Sequence, residues 1–318
     1  MTRDEIKQLR VAVLAGGWSD ERDISMDSGR NCMHALEEAG FAHLELMNVA
    51  DPDFISKISS GIYDVAFLAM HGRYGEDGCI QGLLEILHIP YTFSGVLASA
   101  LGTNKDAAKE IYRAAGIPVP DGTVVEASAA DDPALCHELV ERFGLPLFVK
   151  PSANGSSFGI SRVAAEEELA PAIRLASSEG DNVLVESCIE GTEITVPVIG
   201  NKELQALPII EIAYDAEFYD VQVKYEPGSL HHIMPARLTP EATAMAQEFA
   251  KRAHRALGCR DASRCDFIVQ KDGMPVLLEI NTIPGMTERS LLPDAARAAG
   301  IPFSELCTRF VEWALEER

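Results

Sequence analysis

Arg264-Cys265-Asp266-Phe267-Ile268-Val269-Gln270, then Lys271-Asp272-Gly273-Met274, then Pro275-Val276-Leu277-Leu278-Glu279-Ile280-Asn281: the reading of this stretch decides the fold. Two apolar runs flank an Asp-Gly dipeptide, the strongest short-range hairpin signal, because both residues tolerate the left-handed backbone of a tight turn. A two-residue loop at Asp272-Gly273 pairs residues whose numbers sum to 545. Asp266 then faces Glu279, and Arg264 faces Asn281. Strand side chains alternate between faces, so all four groups project from the same one. Carboxylates facing each other across a ladder repel and destabilise it. A cation between them removes the penalty, and carboxylate and amide oxygens suit Mg2+. Taken alone, the segment also allows two solvent-facing acids on an edge hairpin.

Working outward, 318 residues give room for two or three domains with proper cores. No apolar run approaches the roughly 20 residues that span a bilayer. The polar start, Met1 to Glu5, runs straight into a strand and does not resemble a secretory signal. Seven scattered cysteines describe no disulfide framework, and the spacing of Cys259 and Cys265 fits no zinc pattern. A reducing cytoplasm is the simplest expectation. The net charge of -22 argues against a nucleic-acid surface, which needs clustered Lys and Arg. It also singles out the nine lysines. Lys105, Lys150 and Lys224 fall in or beside loops with other chemical signals and are candidates for an anionic ligand such as ATP. The other six read as ordinary surface lysines.

The opening is α/β in character. Val11 to Ala15 is an apolar run ending in Gly16-Gly17, followed by Ser19-Asp20-Glu21 and a helical stretch over about 25–39. A second buried-type strand, Asp64 to Met70, ends in His71-Gly72-Arg73-Tyr74-Gly75-Glu76-Asp77-Gly78. Strand, glycine-rich turn and helix in sequence imply parallel units whose strand ends form a ligand crevice. Gly16-Gly17 lacks the spacing of a dinucleotide fingerprint. A compact α+β unit follows, with helices over about 104–115, 132–143 and 166–176 and strands at 147–150, 160–163 and 182–186. Beyond it the pattern predicts long strands over 193–199 and 204–212. An irregular segment over about 214–235 and a helix over about 240–257 precede the hairpin.

The loop from Pro151 to Gly159 joins two strands, and its small residues let backbone N–H groups approach an anion, with Ser156 and Ser157 as added donors. A plain polar hairpin loop is the alternative. Lys150, on an otherwise apolar strand just before it, requires an anionic partner. Tyr219, Lys224 and Tyr225 lie in the irregular segment, and loops of that length inside a compact domain are usually functional lids. His231-His232 have no partner spacing for a metal and read as loop residues. After Asn281, Gly285 offers an unobstructed backbone N–H, and Ser290-Leu291 begin a helix whose N-terminus favours a carboxylate.

In this order, the pieces resemble the D-alanine–D-alanine ligase family of the ATP-grasp superfamily. The resemblance runs along almost the whole chain: Gly16 to Arg22, His71 to Gly78, Tyr91 to Gly95 with Lys105, and Lys150 to Gly159. It continues through Glu186 and Glu193, Phe218-Tyr219-Asp220 with Lys224-Tyr225, Arg264 to Asp266, and Glu279 to Leu291. It implies a three-domain ATP-grasp fold, α/β and α+β, with an N-terminal Rossmann-like domain over 1–100. A central ATP-grasp subdomain would span 101–187, and a C-terminal one 188–318, carrying a mobile lid over about 214–235.

The resemblance also implies roles. Lys105 and Lys150 would hold the α- and β-phosphates of ATP, Lys224 would hold the γ-phosphate from the mobile loop, and Tyr219 would belong to the same cofactor-binding set. Glu186 and the backbone near Ile189 would read adenine, and Glu193 the ribose. Asp266, Glu279 and Asn281 would bind two Mg2+ or Mn2+. Glu21 and His71 would hold the first D-alanine, with Ser156 and Tyr225 linked to Glu21. Arg264 and the N–H of Gly285 would form an oxyanion site, and Ser290 and Leu291 would take the second D-alanine. The implied product is D-alanyl-D-alanine for peptidoglycan precursors, made in the cytoplasm by a homodimer. D-alanine–D-lactate and D-alanine–D-serine ligases are the nearest alternatives, and another ATP-grasp ligase a more distant one.

Overall fold

The structure, a computed structural model, describes residues 1–153, 159–180, 182–214, 230–287 and 289–316. Ser156, Ser157, Tyr219, Lys224 and Tyr225 therefore lie outside the described residues. The first unit comprises α1 (Arg3–Ile6), β1 (Arg10–Ala15), α2 (Arg22–Glu38), β2 (His43–Asn48), α3 (Phe54–Ile58) and β3 (Val65–Leu68). β1 lies between β2 and β3 and runs parallel to both. Parallel strands are covered on both faces, which is why β1 and β3 are almost unbroken apolar runs. β2 is a strand the sequence pattern does not announce. Its His-Leu-Glu-Leu-Met-Asn is half exposed, as an edge strand allows.

Next come α4 (Cys79–Ile86), α5 (Val96–Thr103) and α6 (Lys105–Ala114). The Asn104 side chain accepts the Ala107 N–H at 3.1 Å and caps α6. Lys105 is thus the first helical residue, and Lys109 stands on the same face one turn later. β4 (Gly122–Glu126), α7 (Pro133–Phe143), β5 (Leu147–Pro151), β6 (Ser161–Val163), α8 (Leu169–Ser177) and β7 (Asn182–Ser187) follow. Their four strands form an antiparallel sheet in the order β4-β7-β5-β6, its core shared with α7 and α8.

The last unit holds β8 (Thr192–Ile199), β9 (Gln205–Ala206), β10 (Ile210–Tyr214), β11 (Leu230–Ile233), α9 (Pro240–Leu257), β12 (Ala262–Val269), β13 (Pro275–Asn281), α10 (Leu291–Ala298) and α11 (Phe303–Ala314). The sheet order is β11-β10-β8-β12-β13, with β9 also on β8. Thr239 caps α9 and Pro240 occupies its first turn. Ala242, Ala246, Ala250 and Ala253 recur at helical spacing and are buried, so the helix packs closely on the sheet. α10 and α11 turn back and share the core of the first sheet.

Several expectations need correction. The start does not run straight into a strand, because α1 comes before β1. The single strand over 204–212 is two, β9 and β10, both on β8. Pro208 and Pro197 each lack an N–H, so an unbroken ladder cannot form there. His231 and His232 are not loop residues: they lie on β11, paired with Ala213 and Ile212.

The hairpin holds its expected register where it matters, by a different route. Arg264 pairs Asn281 and Asp266 pairs Glu279, but Phe267 pairs Leu277 and Val269 pairs Pro275. Gln270 donates to the Met274 carbonyl, and Gly273 donates to Gln270 in a turn with Gly273 at φ +87. The loop is therefore one residue longer than the expected Asp-Gly turn, and a bulge on β13 between Leu277 and Glu279 restores the register.

Candidate active site

The open face of the six-stranded sheet carries the charges. Arg264 holds Asp266 through two hydrogen bonds, Nε to Oδ1 at 3.1 Å and Nη2 to Oδ2 at 2.9 Å. The planar guanidinium fork suits this bidentate grip. From β8, Thr195 Oγ1 donates to Asp266 Oδ1 at 2.5 Å. Opposite, Glu279 receives Lys105 Nζ at 3.2 Å. The facing carboxylates thus coexist because a cation attends each. Burial pushes the Glu279 carboxyl up, but Lys105, Lys150 and Arg264 outweigh it and bring it down to about 2. Asn281 Oδ1 accepts the Ile283 N–H at 3.0 Å. Among the described residues, no cluster of three or more His, Cys, Asp or Glu side chains gathers for a metal. Two carboxylates and an amide oxygen on one strand face nevertheless form a hard-donor set suited to Mg2+ or Mn2+.

Facing them is a second cluster on the four-stranded sheet. Glu186, on β7, is only 2% exposed. Its Oε1 takes Lys150 from β5 and its Oε2 takes Lys109 from α6. Lys109 is 2% exposed, which corrects its reading as a surface lysine. The signal was present: Lys105, Ala108, Lys109 and Tyr112 share the buried face of α6. One helix face therefore sends Lys105 to β13 and Lys109 to β7, tying the two sheets together. Ile189 lies half-buried in the connection after β7, and Glu193 stands on β8 opposite Ile268.

The remaining candidates gather around the parallel sheet. Glu21 precedes α2, and a Cβ on Gly72 would come within 3.1 Å of Glu21 Oε2, so the carboxylate lies against the His71-Gly72 turn. Ser19 Oγ donates to the His71 carbonyl at 2.9 Å. His71 Nε2 lies 3.1 Å from Ser28 Oγ, which also accepts the Met286 N–H at 3.4 Å. Ser28, which the sequence reading passed over, thus joins α2, the His71 turn and the segment after β13. In that segment, a Cβ on Gly285 would meet Ser290 Oγ at 2.8 Å, so any side chain there forces Ser290 to move. Ser290 Oγ accepts the Thr287 N–H at 3.0 Å and lies 2.8 Å from Thr287 Oγ1. Leu291 opens α10 directly after it.

Comparison with known proteins agrees with this architecture. The family model described as "D-ala D-ala ligase C-terminus" matches residues 111–312, and "D-ala D-ala ligase N-terminus" matches 45–94. A D-alanine–D-alanine ligase of Desulforamulus reducens is 45% identical over 312 residues, covering 97% of this chain and 99% of the relative. The structure of the Bacillus anthracis D-alanine–D-alanine ligase complexed with ATP superposes with TM-score 0.83 at 34% identity, covering 97% of each chain. The VanG D-Ala:D-Ser ligase of Enterococcus faecalis gives TM-score 0.83 at 29% identity, covering 97% of this chain and 100% of its own. Two antiparallel sheets facing each other with lysines between, behind a parallel α/β unit, define an ATP-grasp ligase. Within that class, the chain belongs to the D-alanine–D-alanine ligase family.

Proposed function

We propose that this chain is an ATP-dependent, ADP-forming ligase that joins two D-alanines into D-alanyl-D-alanine for peptidoglycan precursors. Fold alone would permit many chemistries. The observation that carries the reading is the shared face of β12 and β13, where Arg264 and Asp266 stand opposite Asn281 and Glu279, with Lys105 on Glu279.

An amine does not displace oxygen from a free carboxylate. A carboxylate oxygen of the first D-alanine attacks the γ-phosphorus of ATP, the bond to the β,γ-bridging oxygen breaks, and ADP leaves. The acyl phosphate then accepts the amine of the second D-alanine. A C–N bond forms, the nitrogen loses its proton, and phosphate departs with the oxygen it gained. Lys105 and Lys150 hold the α- and β-phosphates and Lys224 the γ-phosphate, neutralising charge on the transferring group. Mg2+ or Mn2+ held by Asp266, Glu279 and Asn281 supplies further neutralisation when bound. Glu186 and the backbone at Ile189 read adenine, Glu193 the ribose, and Tyr219 belongs to the nucleotide-binding set.

Glu21 and His71 place the first D-alanine, with Ser156 and Tyr225 completing the closed site. Arg264 and the Gly285 N–H stabilise the tetrahedral oxyanion. Ser290 and Leu291, at the N-terminus of α10, bind the second carboxylate. A lid drawn from the segment between β10 and β11, narrower than 214–235 because Leu230–Ile233 pair within the sheet, excludes water from the acyl phosphate. We assign 1–100 to the substrate-binding domain, 101–187 to the central subdomain and 188–318 to the C-terminal subdomain. Among the described residues no helix is long and apolar enough to cross a membrane, and we place the enzyme in the cytoplasm as a homodimer.

The test is phosphate release with MgATP and D-alanine, D-serine or D-lactate, with each product identified by mass. D-Alanine alone gives the ATP-dependent dipeptide. Absence of that dipeptide, or preferential turnover when D-serine or D-lactate is added, overturns the reading.

A further inference from the structure

Lys109 has no role in the scheme above, yet it is among the most buried charged groups in the molecule. It reaches Glu186 across 77 residues of sequence. Glu186 is held on both oxygens, by Lys109 from the helix side and by Lys150 from the neighbouring strand. Two buried ammoniums, Lys109 and Lys150, therefore share the one Glu186 carboxylate.

Lys150 has its ammonium on Glu186, and a nucleotide phosphate can draw it away only if Glu186 tolerates the loss. A buried carboxylate deprived of its cation is strongly destabilised. Lys109 approaches the other oxygen from a different element, and nothing in the turn of Lys150 disturbs it. We propose that Lys109 is a positioning residue for nucleotide binding: by holding Glu186 from α6, it frees Lys150 to turn from Glu186 to a phosphate oxygen. This rests on the assignment of Lys150 to the nucleotide. Charge crowding agrees with it. Burial and the nearby Lys150 charge push the Lys109 ammonium down to about 7 against the pull of Glu186. Movement of Lys150 onto an anion relieves that crowding. Without Lys109, Glu186 would keep Lys150, and the nucleotide would lose its contact.

Calorimetric titration with MgATP, in the absence of D-alanine, tests this on the full chain. Lys109→Met weakens binding by about tenfold or more. Lys109→Arg, which keeps the charge, stays within about threefold of the unsubstituted protein. Glu186→Gln weakens binding by itself, because Glu186 also reads adenine; measured against that variant, no carboxylate remains to trap Lys150, so adding Lys109→Met changes binding little further. Unchanged binding by Lys109→Met, or an equal loss in both backgrounds, overturns the proposal. Should Lys109→Met fail to fold, Lys109→Gln takes its place in both backgrounds, with the same outcomes. Failure of the unsubstituted protein to bind MgATP would instead overturn the nucleotide assignment beneath it.

Discussion

Replacing Arg264 by Met removes one partner of a bidentate pair and leaves Asp266, among the described residues, with the Thr195 hydroxyl. Breaking a fully buried pair costs about 3–5 kcal/mol, because the surviving charge is left uncompensated. Here the Arg264 and Asp266 side chains keep 20% and 18% of their exposure, and Thr195 still donates. The expected loss is therefore about 2–3 kcal/mol. Urea unfolding followed by circular dichroism measures it. Adding Asp266→Asn recovers much of the loss, since no charge is then stranded, giving a coupling of about 1–2 kcal/mol in a double-mutant cycle. Catalysis suffers separately. Loss of one oxyanion donor lowers kcat by about 100- to 1000-fold, measured as phosphate release at saturating substrates. Arg264→Lys keeps the charge but not the fork, so it restores part of the stability and little of the turnover. A Met variant as stable as the parent, or a Lys variant with full turnover, would refute the reasoning.

Three further outcomes follow from the same geometry. Glu279→Gln removes a charge neutralised by Lys105 and is expected to abolish turnover while circular dichroism shows an intact fold; an active variant would sink the metal assignment. Gly285→Ala drives a Cβ against Ser290 Oγ and should raise the KM for the second D-alanine by about 10- to 100-fold in initial-rate assays; an unchanged KM would separate Ser290 from the second substrate. Burial holds His254 down at about 4 from the usual 6.5, and its Nε2 has no partner among the described residues. The unfolded chain therefore binds the extra proton first. The stabilisation is complete above pH 6.5 and is lost as pH falls toward 4, by about 3 kcal/mol in all. Urea unfolding across that range should show the slope, and His254→Gln should flatten it.

The order of elements was readable wherever local chemistry announced it. Thr239-Pro240 and Gly258 bracket α9, and its alanine stripe fixes the buried face. The register at the metal-type site was also readable, though for a reason only partly right. Gly273 closes a longer turn than Asp-Gly alone suggests, and the bulge on β13 compensates, so Asp266 still meets Glu279. A bulge leaves no mark in a run such as Val-Leu-Leu-Glu. β2 went unannounced because an edge strand needs no continuous apolar run. Lys109 was hidden for a different reason. In Lys-Asp-Ala-Ala-Lys-Glu it looks like a solvated helix position, and the carboxylate that explains its burial lies on β7. Long-range pairing of charges is what one strand or helix, read by itself, cannot reveal.

The central claim is that D-alanine's own carboxylate is phosphorylated before the peptide bond forms. Its direct test uses D-alanine carrying 18O in the carboxylate, MgATP and the purified chain, with mass spectrometry of phosphate and dipeptide. The account predicts one carboxylate oxygen transferred to each phosphate released, together with D-alanyl-D-alanine. Dipeptide formed with unlabelled phosphate would contradict it.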